Sequence, residues 1–216
     1  MGLLILAAAG LAVWQWDNVG PFLLSRIHSR ETLSDRLDDL RTNNQKQLAD
    51  DGVDVPNLSG EQVRDLILGD MTSEEALSTL DLERYQSETK AVPEGKAEPD
   101  QAAEVDALVN SCVAELYQYE SYLYGRLGEI RQEFLAIWTS YPKSERSASL
   151  KKSLGSQLVS QCYALETSSD SSVCAILDRY RAEVSARGGD SSRIDNLWEV
   201  YCSEKASVKA YYFNLL

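Results

Sequence analysis

The chain has 216 residues, 44% of them hydrophobic, with 34 acidic and 21 basic side chains and a net charge of −13. That length allows one ordinary domain plus accessory segments, and the hydrophobic share is enough for a core. So acidic a balance opposes contact with phosphate backbones, and no nucleic-acid partner is expected. The acidity is uneven: residues 26–104 carry 19 acids and 9 bases, whereas residues 105–216 carry 14 and 12.

Gly2 to Trp16 is apolar apart from Gln15, and Trp14 and Trp16 stand at its end, where interfacial aromatics sit. The run falls short of the roughly 20 apolar residues of a full span, and no basic residue precedes it as in a signal peptide. Residues 1–24 therefore read as an uncleaved, marginal N-terminal membrane helix, with a buried helix of a soluble protein as the alternative. Arg26 and Arg30 after the run favour a cytoplasmic C-terminus. The cysteine pattern favours export, because disulfides persist in oxidising compartments. The second argument is preferred, so the bulk of the chain is expected to be extracytoplasmic.

Residues 25–85 read as an acidic helical stalk carrying two short helices. Leu33, Leu37, Leu40 and Leu48 recur at helical spacing, with Asn44 in the stripe, a narrow seam of coiled-coil type. Ser59 with Gln62, and Thr72 with Glu75, form two capping boxes, and Gly69 ends the first short helix. Residues 86–104, with Pro93, Gly95 and Pro99 and few large apolar side chains, read as a flexible linker.

Residues 105–216 are expected to form an antiparallel four-helix bundle, making the whole chain all-α. Val105, Val109, Cys112, Leu116, Tyr119, Leu123, Leu127, Ile130, Phe134 and Ile137 alternate steps of four and three along a first long helix, which Pro142 stops. Leu150, Leu154, Leu158, Cys162 and Leu165 mark a second helix. Thr167 to Ser172 is expected to be a turn. Val173, Ile176, Leu177, Tyr180 and Val184 mark a third helix, and residues from Ile194 to Tyr212 a fourth. Gly188-Gly189 separates the last two, and Asp190 or Ser191 caps the fourth.

In that arrangement Cys112, Cys162, Cys174 and Cys202 fall in one layer, between roughly 6 and 10 Å from one end, at about 1.5 Å of rise per residue. Disulfides are the preferred reading, paired Cys162–Cys174 and Cys112–Cys202, with Cys112–Cys162 and Cys174–Cys202 as the other option. Buried free thiols and a metal cage are the alternatives. The first helix outruns the others, so Phe134, Ile137, Trp138 and Tyr141 are candidates for an exposed surface that receives a protein partner, unless the hairpin after Pro142 folds over them.

His28 is the only histidine. It lies in the expected stalk, which rules out a Ser–His or Cys–His arrangement within the bundle. No phosphate-binding, nucleophile-elbow or calcium-loop motif occurs, so no catalytic residue, metal or cofactor is expected. Tyr117, Tyr119, Tyr122, Tyr124, Tyr201, Tyr211 and Tyr212 are numerous enough to line a ligand groove, although core packing is the more frequent use. The function that follows is a non-enzymatic, membrane-anchored envelope protein whose bundle serves as an interaction or structural module. The alternatives are a small-ligand-binding or sensory bundle and, more remotely, a thiol-dependent redox or metal-binding protein.

Overall fold

The computed structural model describes residues 21, 23–82, 85 and 101–215, and everything there is helix, turn or irregular, with no strand among the described residues. The expected membrane helix lies outside them, apart from Pro21, Leu23 and Leu24. Among the described residues no helix is long and apolar enough to cross a membrane. Most of the expected linker, residues 86–100, lies outside them too.

Among the described residues the helices run in the order α1 Arg30–Asp50, α2 Gly60–Leu68, α3 Ser73–Ser78, α4 Gln101–Ser140, α5 Ala148–Ala186 and α6 Ser192–Leu215, after a short helical segment at residues 23–27. Each start has a local cause. Ser29 caps α1 by accepting from the Thr32 amide. The two capping boxes form as expected, with Ser59 and Gln62 opening α2 and Thr72 and Glu75 opening α3. Gly69 closes α2 in the left-handed conformation at φ 79°. Ser147 caps α5 after a 3₁₀ turn at Lys143–Glu145. Gly188, at φ 69°, and Asp190, which accepts from the Ser192 amide at 2.9 Å, make the short link to α6.

The C-terminal half therefore has three long helices and not four, because α5 runs unbroken through the expected turn at 167–172. That stretch contains no glycine or proline. Its hydroxyls bond back to their own helix: Thr167 to the Tyr163 carbonyl at 3.0 Å, Ser171 to Thr167 and Ser172 to Ser168 at 3.1 Å each. The side chains expected to cap a new helix instead satisfy themselves inside an existing one.

The fourth place in the bundle is taken by α1, the expected stalk. It lies antiparallel to α6: Asn44 and Arg41 reach Glu204 near the middle, and Asn214 donates to the Ser25 and His28 carbonyls at the end. Its buried face is Leu33, Leu37, Arg41, Asn44 and Leu48, so the stripe holds a second polar member, Arg41, in place of Leu40.

Helices α2 and α3 cover α4 on a flat face of small residues. Ser73 and Ser121 bond reciprocally to each other's carbonyls, at 2.9 and 3.2 Å. A Cβ on Gly128 would overlap the Leu66 carbonyl oxygen, and one on Gly125 would overlap the Ser73 hydroxyl. Glycine at both positions lets backbone approach backbone. Two apolar clusters result. One is built around Val109, Cys112, Val173, Leu177 and Ile194, the other around Leu37, Leu58, Leu66, Leu158, Val208 and Tyr212.

The cysteines do not form the expected layer of staples; none of the four is in a disulfide. Cys162 and Cys174 share one continuous helix, twelve residues or about 18 Å apart, far outside disulfide range. The preferred pairing therefore fails for the same reason as the expected turn. The Tyr212 hydroxyl meets both Cys162 and the Leu127 carbonyl, which puts Cys162 opposite residue 127 of α4. That is about 22 Å along α4 from Cys112, so the Cys112–Cys162 bond is excluded as well. Cys112 is buried in the first cluster, Cys162 packs against the second, Cys174 faces outward and Cys202 is half-buried.

Candidate functional site

The long seam of α4 presents Leu116, Tyr119, Glu120, Leu123 and Leu127 toward α5 and α6. Between the three helices they do not close up. A groove with a cavity volume of about 130 Å³ runs along them, walled by Cys162, Leu165 and Ser169 of α5 and Leu197, Val200 and Val208 of α6. Its α4 wall extends from Val113 to Leu127, about 21 Å at helical rise, so the space is elongated. Five of the seven tyrosines expected as groove candidates do line it: Tyr117, Tyr119, Tyr124, Tyr201 and Tyr212. Tyr211 is buried elsewhere and Tyr122 is exposed.

The rim between α5 and α6 is polar. Lys209 bonds Glu166 at 2.6 Å and lies over the Tyr163 ring. Lys205 bonds Asp170 at 2.7 Å and lies over the Tyr201 ring. The Tyr201 hydroxyl donates to Asp170 at 2.7 Å and also meets Ser169. Lysine stems on tyrosine faces cover apolar surface while their heads stay paired, so this edge is closed by flexible side chains and not by backbone.

At the inner wall sits a buried charge cluster. Arg41 of α1, 3% exposed, donates to the Leu58 carbonyl at 3.0 Å, to Glu120 at 2.7 and 3.1 Å, and to Glu204 at 2.8 Å. Asn44 donates to Glu204 at 2.9 Å, and Tyr124 to Glu120 at 2.7 Å. One guanidinium faces two carboxyl groups that also touch each other. Burial alone would raise Glu120, but the bidentate Arg41 holds it below the usual carboxylate range. Burial, then the neighbouring Glu120 charge, lift Glu204 to about 8, with Arg41 opposing. At neutral pH the cluster is therefore Arg⁺, Glu120⁻ and a protonated Glu204 that donates to Glu120. Its net charge is zero, as a buried site requires. Both carboxyls border the groove, so this wall presents a neutral carboxyl and a satisfied carboxylate.

Burial lifts the thiols of Cys112 and Cys162 to about 12 and about 11, which makes both poor nucleophiles. Cys162 lines the groove; Cys112 does not. Of the candidate partner-binding residues, Phe134 packs against the second cluster, and Trp138 and Tyr141 are half-buried. The hairpin after Pro142 does fold back over them in part: Arg146 lies 5.9 Å above the Trp138 ring and donates to the Tyr141 and Thr139 carbonyls. Ile137 stays 44% exposed.

Sequence reasoning missed Arg41, Glu120 and Glu204 as a unit. A signal existed in part. Arg41 follows Leu37 by four residues and precedes Asn44 by three, so both polar residues occupy the buried stripe of α1, and a charge there demands partners.

Fold and site together define an all-helical bundle with an internal apolar groove beside a neutralised charge cluster. Compared with protein-family models, curated proteins and solved structures, the chain matches none.

Proposed function

We propose that this is a non-enzymatic, small-ligand-binding helical bundle, held at a membrane by its N-terminal apolar run. The observation that carries the reading is the elongated groove between α4, α5 and α6, apolar along its length and lined by six tyrosines, the five named above and Tyr163. Groove shape and lining suit a slender apolar molecule with at most one hydrogen-bonding group, which Glu204 or a tyrosine hydroxyl would meet. A ligand carboxylate is disfavoured at the inner wall, where Glu120 is already ionised. Burying such a molecule replaces unfilled contacts by packed ones, and gaps of this size cost stability in an unliganded core.

The test is titration of the full chain with an environment-sensitive apolar naphthalene dye, followed by competition with straight-chain alcohols. Saturable binding is expected, with competition that strengthens as the alcohol lengthens and then stops at the groove's length. Val200→Phe and Leu116→Phe, which place extra volume at half-buried lining positions, should abolish it with the helical content unchanged. Non-saturable dye uptake, or uptake unaffected by both variants, would refute the ligand reading and leave the bundle as an interaction module.

A further inference from the structure

The α4–α5 hairpin stands beyond the rest of the bundle, and its charge is opposite to that of the chain. The Tyr212 hydroxyl donates to the Leu127 carbonyl, which fixes the end of α6 against α4. Ser140 is thirteen residues farther on, so the hairpin tip projects about 20 Å past that level. Helix α2 reaches only as far as Arg131 and Gln132, which donate to the Leu68 carbonyl. At the tip, residues 141–153 contain Lys143, Arg146, Lys151 and Lys152 against a single acid, Glu145, a net of +3 in a chain of net −13. None of the four bases forms an ion pair among the described residues, and the three lysines are exposed. Arg146 is spent on backbone carbonyls, which holds the turn in shape.

Apolar side chains accompany these charges. Ile137 is exposed beside Trp138 and Tyr141. At the same end of the bundle, the helical segment at residues 23–27 exposes Leu23, Leu24 and, at 72%, Ile27, and Asn214 ties that segment to α6.

We propose that the tip of the α4–α5 hairpin docks on an anionic lipid surface. Lys143, Lys151 and Lys152 would meet the headgroups, and Ile137, Trp138 and Tyr141 would sit at the interface. Lysines flanking interfacial aromatics are the chemistry that anionic bilayers attract, at a cost to the acidic remainder of the chain, which is turned away. An acidic protein partner would use the lysines but would leave Ile137 and the 23–27 segment without a role. The docking is independent of whether the groove binds a ligand and of whether the N-terminal run spans the bilayer.

The test is hydrogen exchange of the full chain, read by mass spectrometry, with vesicles of phosphatidylcholine alone or with phosphatidylglycerol mixed in. Protection of residues 134–153 is expected with the mixed vesicles, lost in high salt and absent with phosphatidylcholine alone. Lys143→Gln, Lys151→Gln and Lys152→Gln combined should weaken that protection of the tip on the order of tenfold or more. These lysines have no folded partner, so the variant keeps its exchange pattern elsewhere. Vesicle binding without protection of the tip, equal protection on both vesicle types, or a triple variant whose tip is protected as before would each overturn the proposal.

Discussion

Helix α4 has two working faces, and they are packed in opposite ways. Toward α2 and α3 it offers Ser121, Gly125 and Gly128, and the partner backbone comes down until no Cβ would fit. Toward α5 and α6 it offers Leu116, Tyr119, Leu123 and Leu127, and there the helices stand off and leave a groove. The contrast comes from side-chain size at one register. Small residues gain dispersion through backbone proximity, while large ones hold helices apart unless the facing residues interdigitate. The charge cluster lies between the two faces. Arg41 arrives from α1 and Glu204 from α6, and α4 contributes Glu120.

Breaking the cluster should have the largest effect. Arg41→Ala leaves Glu120 as an uncompensated buried charge and is expected to cost about 3–5 kcal/mol, measured by urea unfolding. Replacing all three side chains by apolar residues of similar volume should cost much less, because the penalty comes from the orphaned charge and not from loss of the cluster.

Next comes a pH effect with a definite sign. Glu204 binds its proton more tightly folded, at about 8, than unfolded, at its ordinary value of 4.5. The stability this confers is fully present below the unfolded value and is lost as pH rises through the folded one. From pH 6 to pH 9 the protein should lose on the order of 2–3 kcal/mol. Glu204→Gln cannot ionise, keeps an acceptor for Asn44 and a donor for Glu120 while losing the oxygen that accepts from Arg41, and should flatten the curve at a lower overall stability. A wild-type curve already flat over this range would show that Glu204 is ionised in the folded protein.

The packing contrast can be tested with one substitution on two glycines. Gly128→Ala must push α2 off the Leu66 carbonyl and should cost on the order of 1–3 kcal/mol. Gly155→Ala in α5 meets nothing within 4 Å and should stabilise by about 0.5–1 kcal/mol. Thermal melts of both variants, read side by side, would be expected to shift in opposite directions.

The smallest effect is in rate. Alkylation of the native protein should label exposed Cys174 first and Cys112 last, since Cys112 is buried and its thiol stands at about 12. Equal labelling of the two would show that the first cluster opens readily.

Much was legible along the chain. Helix class, both capping boxes, the Gly69 and Gly188 stops and the long seam of α4 rest on local rules acting over a few residues, and these hold whatever the rest of the fold does. The expected turn at 167–172 failed because serine and threonine suit a cap and a back-bonded helix interior almost equally. Nothing local decides between them; the choice fell to α4, the helix against which an unbroken α5 makes most of its contacts. The stalk failed for a related reason: the α1 stripe predicts a partner but cannot say which one. Five of the groove's tyrosines could be read from the sequence as candidates, because aromatic enrichment is a compositional fact. The groove was not, because a gap depends on how three helices fail to meet.

By itself the sequence determined where helices begin and end wherever glycine, proline or a capping box speaks, and which face of each helix is apolar. The tertiary structure alone decided that α1 completes the bundle and that Cys162 and Cys174 lie a dozen residues apart on one rod. It also decided that Arg41, Glu120 and Glu204 neutralise one another. Periodicity is a property of neighbours three or four residues apart, whereas charge compensation and helix pairing are settled between residues up to 189 positions apart that meet only when the chain is folded.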